Sequence, residues 1–404
     1  MNSKVYDIII IGAGIVGLAT AMKLARNNSL NLKILVIETE NEIASHQTGN
    51  NSGVIHSGLY YAPGSLKAQN CVAGRNELYM FCENNLIKHE RCGKLVVATD
   101  KAEIKMLNRL HKRGIENQLK GLKRLSAEEM REYEPHVNGV AALLVPETGI
   151  VDYMDVSKAY QWHINRNDGE ISLDTKFLGL KHQNPLVVKT SQGEFETRNI
   201  INCAGLYSDR VAKKCGINPG LKIVPFRGEY YELIPEKEYL VKNLIYPVPD
   251  PKFPFLGVHF TRMIHGGIEA GPNAVLAFKR EGYKKSDISF KDSLETFMYP
   301  GFWMLALRYG YISLGEFYRS YSKKAFVSAL QKLIPEVTEN DVQAAGSGVR
   351  AQALGMNGKL LDDFRIIERP NMIHVLNAPS PAATASLSIG GTIADMAVKN
   401  FDLA

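Results

Sequence analysis

The chain opens on an unbroken apolar run at 8–11, then Gly12-Ala13-Gly14-Ile15-Val16-Gly17, then Leu18, Ala21, Met22 and Ala25 at helical spacing. This pattern predicts a strand, a tight turn and a helix. A second apolar run at 34–37 predicts a strand buried on both faces, and Glu38 ends it. Together they make a βαβ unit. Further on, 65–83 and 101–113 read as helices, the latter with Ile104, Leu107 and Leu110 on one face, and 95–98 as a strand. Ser126 and Glu129 form a capping box. From 170 to 202 the pattern shifts to short strands, with turns at Asn184-Pro185 and Gln192-Gly193. The last of these strands runs into a turn at Ala204-Gly205, and a helix follows through Asp209 and Lys213. Strand-like runs rich in aromatic residues and proline over 221–278 predict a separate antiparallel sheet, and 297–333 is helical in character. A strand at 373–376 leads into the uncharged stretch 377–384, which is predicted to open the terminal helix.

Composition narrows the class. At 404 residues the chain suits two domains sharing one cleft, or a single large α/β unit. Hydrophobic residues at 45% and charged residues at 22% suit a folded globular protein. The net charge is +6, with no basic run dense enough for a nucleic-acid arm, so acidic small molecules and anionic membrane surfaces are the partners left. Cys71, Cys82, Cys92, Cys203 and Cys215 are odd in number and contain no CxxC pair. They match neither a disulfide framework nor a common zinc spacing, so no metal site is expected and a reducing cytoplasm fits best. Asp7 and the spaced glycines mark 5–18 as retained structure rather than a signal segment. No run of eighteen continuous apolar residues is present.

The glycine pattern carries chemistry because of its context: it follows a strand, opens a helix and has an acid about twenty residues on. Gly12 permits the turn, Gly14 lets backbone approach a pyrophosphate, and Gly17 lets helix and strand pack closely. Ile15 and Val16 then bring the helix N-terminus to the phosphates. Glu38 would accept hydrogen bonds from ribose hydroxyls. An adenine dinucleotide, NAD or FAD, is implied.

Gly12 to Gly17, Glu38, the loop 48–53, the turn at 202–205, Gly346-Ser347-Gly348-Val349-Arg350 and the stretch 377–384 together resemble the FAD-dependent D-amino-acid-oxidase-like superfamily. That resemblance implies an α/β fold, with a Rossmann-like FAD domain assembled from 1–90, 150–220 and 340–404 and an antiparallel-sheet substrate domain from 91–149 and 221–339. It also implies cofactor contacts from Thr48, Gly49, Asn51, Ser52, Gly53, Ala204, Gly205, Gly348, Pro381, Ala382, Ala383 and Thr384. Within the superfamily, His46-Gln47-Thr48-Gly49, the string 51–58, Phe226-Arg227-Gly228-Glu229-Tyr230-Tyr231, the string 255–262 and the string 377–387 are similar to the L-2-hydroxyglutarate oxidase or dehydrogenase family. The similarity spans nearly the whole chain. Asn50 departs from it, since a histidine is expected there.

The reaction so implied is oxidation of L-2-hydroxyglutarate to 2-oxoglutarate by hydride transfer to FAD, with reoxidation by quinone or oxygen. Removing the hydroxyl proton suits a neutral imidazole, and His259 and His56 are the candidates, with His259 preferred. A dicarboxylate needs cations, so Arg227, Arg262 and Arg350 are candidate anchors, with Thr261, Tyr61 and Tyr230 as hydroxyl donors. The alternative for each arginine is internal pairing, for instance Arg227 with Glu229. The basic aromatic segment 297–333 suits either a cap over the substrate sheet or a peripheral contact with the inner membrane face and its quinones. An amino-acid or N-methyl-amine oxidase, and a non-catalytic FAD-binding scaffold, are the rival functions.

Overall fold

The computed structural model describes residues 4–27, 29–183, 185–250 and 256–403, apart from the side chains of 183, 311 and 312. Asn184 and Phe255, which figure in the sequence patterns above, lie outside the described residues. At the centre of an eight-stranded sheet lies β1 (Val5–Ile11). It pairs in parallel with β2 (Ile34–Ile37) on one side and with Gly193–Asn202 on the other. The parallel core continues to Glu170–Ser172 beyond β2 and to Met372–Asn377 beyond Gly193–Asn202. Antiparallel partners finish both the 177–190 and 365–369 margins.

The period of two along β1 sets the layers. Ile8 and Ile10 share a core with α1 (Ile15–Ala25) and the helices Tyr153–Arg166 and Ser386–Asn400. Ile9 and Ile11 face the other way, toward Val211 and Cys215 around the helix Ser208–Lys214. Covering both faces is what lets every residue of β2 be apolar and buried. The terminal helix lies against α1 so closely that a Cβ on Gly390 would stand 2.8 Å from the Ala19 backbone.

The second sheet has nine strands, and its spine is the antiparallel pair Leu221–Leu233 and Val342–Gly355. The predicted antiparallel sheet is present with one exception, the parallel pairing of Lys94–Ala98 with Leu244–Pro247. Residues 342–355, grouped by sequence with the cofactor segments, are a strand of this second sheet, in register Phe226↔Arg350 and Gly228↔Gly348. They still reach the first unit, because a Cβ on Gly348 would lie 2.6 Å from the Asn50 carbonyl oxygen. A small sheet of Val54–Ile55, Gly149–Val151 and His89–Glu90 adjoins both.

Two element boundaries differ from the sequence reading. The helical region is three helices, Phe290–Phe297, Pro300–Tyr321 and Lys323–Leu330, interrupted before Pro300 and at Ser322, whose hydroxyl caps the last by accepting from the Ala325 N–H. The terminal helix begins at Ser386, not within 377–384. Pro379 and Pro381 lack N–H groups and hold their predecessors out of helical conformation, so this stretch is a wall of turns that precedes the helix.

Candidate active site

A cavity of about 1200 Å3 runs continuously from the β1–α1 turn to the second sheet, above the roughly 300–1000 Å3 of a small-ligand cleft. Its first part is shaped by close approaches of backbone. Gly12 has φ +105°, and a Cβ there would lie 2.7 Å from the Cys203 carbonyl oxygen. A Cβ on Gly17 would lie 2.0 Å from the Gly12 oxygen. No other residue fits at either position. Gly14 instead faces open space: Thr48 Oγ1, 3.6 Å from an added Cβ, is its nearest neighbour. Gly14, Ile15 and Val16 bring the start of α1 to the cavity wall, where unpaired first-turn N–H groups and the positive helix end suit a pyrophosphate.

The polar loop is tied to this turn by its own side chains. Thr48 Oγ1 accepts from the Ile15 N–H at 3.1 Å, and Asn51 Oδ1 accepts from the Gly53 N–H at 2.7 Å. Thr48, Asn51 and Ser52 line the cavity. Gly17, Gly49 and Gly53, expected as cofactor contacts, do not; they allow chain to pass behind the wall, with added Cβ atoms at Gly49 and Gly53 each 2.8 Å from a carbonyl oxygen. Asn50 also lines the cavity and donates to the Ser45 and His46 carbonyls at 2.9 and 2.8 Å.

Glu38 lines the cavity and accepts from three backbone N–H groups, those of Ala13 (2.7 Å), Thr39 (2.7 Å) and Glu40 (3.2 Å). A carboxylate has about four acceptor sites, so one is left for a ribose hydroxyl. Ala204, Gly205, Gly348, Pro381, Ala382, Ala383 and Thr384 complete the wall. Thr384 joins the halves: its hydroxyl accepts from the His56 N–H at 3.0 Å and lies 3.0 Å from Tyr153 Oη. The glycine cradle, the helix N-terminus, the anchored acid and this wall fit FAD.

At the second sheet the cavity becomes a chamber whose wall includes the rings of His56, Tyr60, Tyr61, Tyr230, Tyr246 and His259 and the Arg350 guanidinium. His259 is buried, its ring centre 3.9 Å from that of Tyr246. Its Nδ1 lies 2.8 Å from the Gly257 carbonyl oxygen, which makes Nδ1 the N–H donor and leaves Nε2 as an acceptor. Burial pushes His259 down to about 3, against a smaller upward pull from the Gly257 bond, with the Arg350 and Lys94 charges adding to the lowering. His56 is likewise pushed down to about 3, by burial first and then by the Lys94 charge. Both imidazoles are therefore neutral near pH 7.

The three arginines part company. Arg350 stands on the cavity wall, where its charge reaches Tyr230 and His259. Arg227 does not: it is buried, donates from Nε and Nη2 to Glu229 Oε1 at 3.1 and 2.9 Å, and from Nη1 to the Lys284 carbonyl at 3.2 Å. Arg262 pairs with Glu90 at 2.5 Å, also off the wall. Thr261 is buried behind the chamber beside the Tyr246 hydroxyl. Alternation explains this in part, since His259 and Thr261 lie two apart on one strand and Arg262 falls on the opposite face.

Sequence reasoning passed over Tyr246 and Lys94, and over Lys67, Arg109 and Arg113 on the cavity wall. A lysine opening the otherwise apolar, fully buried run Lys94–Ala98 was the available signal.

The chain belongs to the FAD dependent oxidoreductases, whose family model matches residues 7–396. Solved structures agree in fold: L-alpha-glycerophosphate oxidase from Mycoplasma pneumoniae, with FAD bound, has a TM-score of 0.79 at 23% identity over 98% of this chain and 95% of that one. Glycine oxidase from Geobacillus kaustophilus has a TM-score of 0.73 at 16% identity, covering 99% and 97%. Within the class the chain falls in the L-2-hydroxyglutarate dehydrogenase family. It is 56% identical to the dehydrogenase of that name from Indibacter alkaliphilus, over 98% of this chain and all of that one. The Escherichia coli K12 relative is 46% identical (96% and 92% covered) and the human mitochondrial one 44% (100% and 90%).

Proposed function

We propose that the protein oxidises L-2-hydroxyglutarate to 2-oxoglutarate, with FAD as the electron acceptor. The observation that carries this reading is the pairing, on one cavity wall, of two neutral imidazoles with the Arg350 guanidinium. Gly12, Gly14, Ile15, Val16, Glu38, Thr48 and the 381–384 turns would hold the cofactor. When bound, FAD supplies a two-electron, hydride-accepting group.

The chain's own residues do the rest. Arg350 receives a carboxylate in bidentate fashion. His259 Nε2, bare because Nδ1–H is committed to Gly257, takes the C2 hydroxyl proton. A dianionic substrate beside the ring opposes the depression that burial imposes and makes the imidazolium easier to form. Tyr61 and Tyr230 offer hydroxyls to the second carboxylate, and the aromatic walls keep water out.

Anaerobic mixing of the holoenzyme with L-2-hydroxyglutarate, its D enantiomer and L-glutamate tests this through the visible band of oxidised flavin. Bleaching by the L-hydroxy acid alone is expected. Bleaching by glutamate instead would place the protein among the amine oxidisers, and retention of FAD with no bleaching would favour a scaffold.

For reoxidation we infer a quinone reached at a membrane surface. Among the described residues no helix is long and apolar enough to cross a membrane. The helices Phe290–Phe297 and Pro300–Tyr321 and the link between them, however, expose Phe290 (82%), Leu307 (88%), Met298, Trp303 and Leu314, with Arg308 on the second helix. Co-sedimentation with anionic vesicles that is lost in Phe290→Ser/Leu307→Ser is the expected result; no sedimentation would leave oxygen as acceptor.

A further inference from the structure

Lys94 heads the interior strand Lys94–Ala98 of the second sheet and is 2% exposed. Its Nζ lies 4.5 Å from the ring centre of Tyr60 and 4.8 Å from that of Tyr246. Both rings are cavity wall, and Lys94 is not. Among the described residues no carboxylate comes within 4.0 Å of Nζ, and Nζ donates no hydrogen bond. A buried ammonium left in this way is costly, and two ring faces return only part of that cost. The lysine either gives up its proton or borrows an anion.

The surrounding groups do not supply that anion. His56 and His259 are neutral. Cys71, on the helix Leu66–Asn84, is pushed up by burial to about 12 and is an uncharged thiol. Lys67 and Arg75 on the same helix and Arg350 on the second sheet are cations. Tyr60, Tyr61, Tyr230 and Tyr246 are raised by burial and stay as phenols. Glu147 is taken by Arg75 at 2.9 Å. Glu269, whose charge reaches Tyr230 and Tyr246, is pushed up by burial and by Glu232 to about 7, and its charge does not extend to Lys94, on which only burial and Cys71 act.

We propose that Lys94 is the counter-ion of the chamber: an entering dicarboxylate draws a proton from solvent onto the Lys94 amine, so that ligand and proton bind together. The inference rests on the dicarboxylate reading above. Lys94 is a positioning residue, because Tyr60 and Tyr246 line the cavity and Lys94 does not. Burial alone pushes its ammonium down to about 7 in the free protein, and an anion across the rings moves it back up. Between those two values each ligand brings in close to one proton, and affinity falls about tenfold per pH unit as pH rises. Below that window the amine is already protonated and affinity is flat.

The test uses the holoenzyme and glutarate, which has both carboxylates and no hydroxyl to oxidise. Calorimetric titration at pH 8 in buffers of different ionisation enthalpy counts the protons taken up, and flavin absorbance perturbation gives Kd from pH 6 to 9. The wild type is expected to take up about one proton and to show the rising Kd. Lys94→Met, which keeps the stem and loses the charge, should bind glutarate about tenfold or more weakly at pH 6, with no uptake and no slope. Lys94→Arg should keep the affinity and also lose the slope, because its charge is permanent. Zero uptake by the wild type, or uptake that survives in Lys94→Met, overturns the inference and, in the second case, hands the proton to His56, His259 or Glu269. Failure of both glutarate and L-2-hydroxyglutarate to bind at pH 6 removes the dicarboxylate reading itself, and the inference with it.

Discussion

The two ends of the cavity are built by opposite means. The cradle at Gly12–Gly17 is a construction of backbone: its shape depends on side chains that are absent, and its one acid is anchored by three neighbouring N–H groups with one acceptor site left. The chamber is a construction of side chains: buried His259 and Tyr246 and half-buried His56, Tyr60, Tyr61, Tyr230 and Arg350 line it, with buried Lys94 against two of the rings. A cradle of this kind recognises a cofactor that never changes and tolerates no alteration. A chamber of titratable and charged side chains removed from bulk water responds to whatever charge enters it.

The sharpest way to break the comparison is at Gly17. A Cβ there would stand 2.0 Å from the Gly12 oxygen, in backbone that α1 and β1 both hold. Gly17→Val is expected to abolish FAD retention and to cost about 4 kcal/mol or more of stability. Flavin content after purification and the urea midpoint check it; a variant that keeps stoichiometric FAD would mean that the cradle yields where the geometry says it does not.

At the other end, His259→Gln should leave FAD content and fold unchanged and reduce kcat by about 10²–10⁴. The glutamine can still donate to the Gly257 carbonyl but cannot take a proton. Pre-steady-state reduction with L-2-hydroxyglutarate measures the loss, and a rate within threefold of wild type would move the base to His56.

This contrast also explains what was legible in the sequence. Cradle residues lie within a few positions of one another, so their spacing is itself the signal: Gly12, Gly14 and Gly17 need no partner from elsewhere. Chamber residues come from 56–61, 94, 230, 246, 259 and 350, and nothing local says that these meet. Family resemblance pointed to the strings around Arg227, His259 and Arg262, but only geometry separated His259, which faces inward, from Arg227 and Arg262, which are spent on Glu229 and Glu90. Lys94 was hidden for the same reason, since its partners are two rings distant in sequence.

A pH experiment sharpens the difference further. His56 and His259 are held down to about 3 and His374 to about 4, each chiefly by burial. In the unfolded chain all three protonate near 6.5. Between pH 6.5 and those lower values the unfolded state binds more protons, so stability falls as pH falls. Urea midpoints of the FAD-free protein measured from pH 7.5 to 5 should decline, and in His56→Gln/His259→Gln the slope should shrink by up to two protons. An unchanged slope would place the acid sensitivity outside the chamber.

The smallest effect is expected at Arg262, and it is informative because the residue belongs to a string that carries the family resemblance. Its guanidinium pairs with Glu90, a partner about half exposed, and its side chain is itself about one quarter exposed. An ion pair so placed contributes about 0–1 kcal/mol. Arg262 is also off the cavity wall, while its neighbour three positions back, His259, is on it. Arg262→Ala should therefore change stability by less than about 1 kcal/mol and leave KM for L-2-hydroxyglutarate within about threefold of wild type. Arg350→Lys, which keeps the charge and loses the fork, should raise KM by about tenfold or more. A large KM effect at Arg262 would mean that the pair with Glu90 opens when ligand binds and that the guanidinium turns into the chamber; Glu90→Gln, which frees the arginine, would then lower KM, whereas with the arginine fixed in its pair it does nothing.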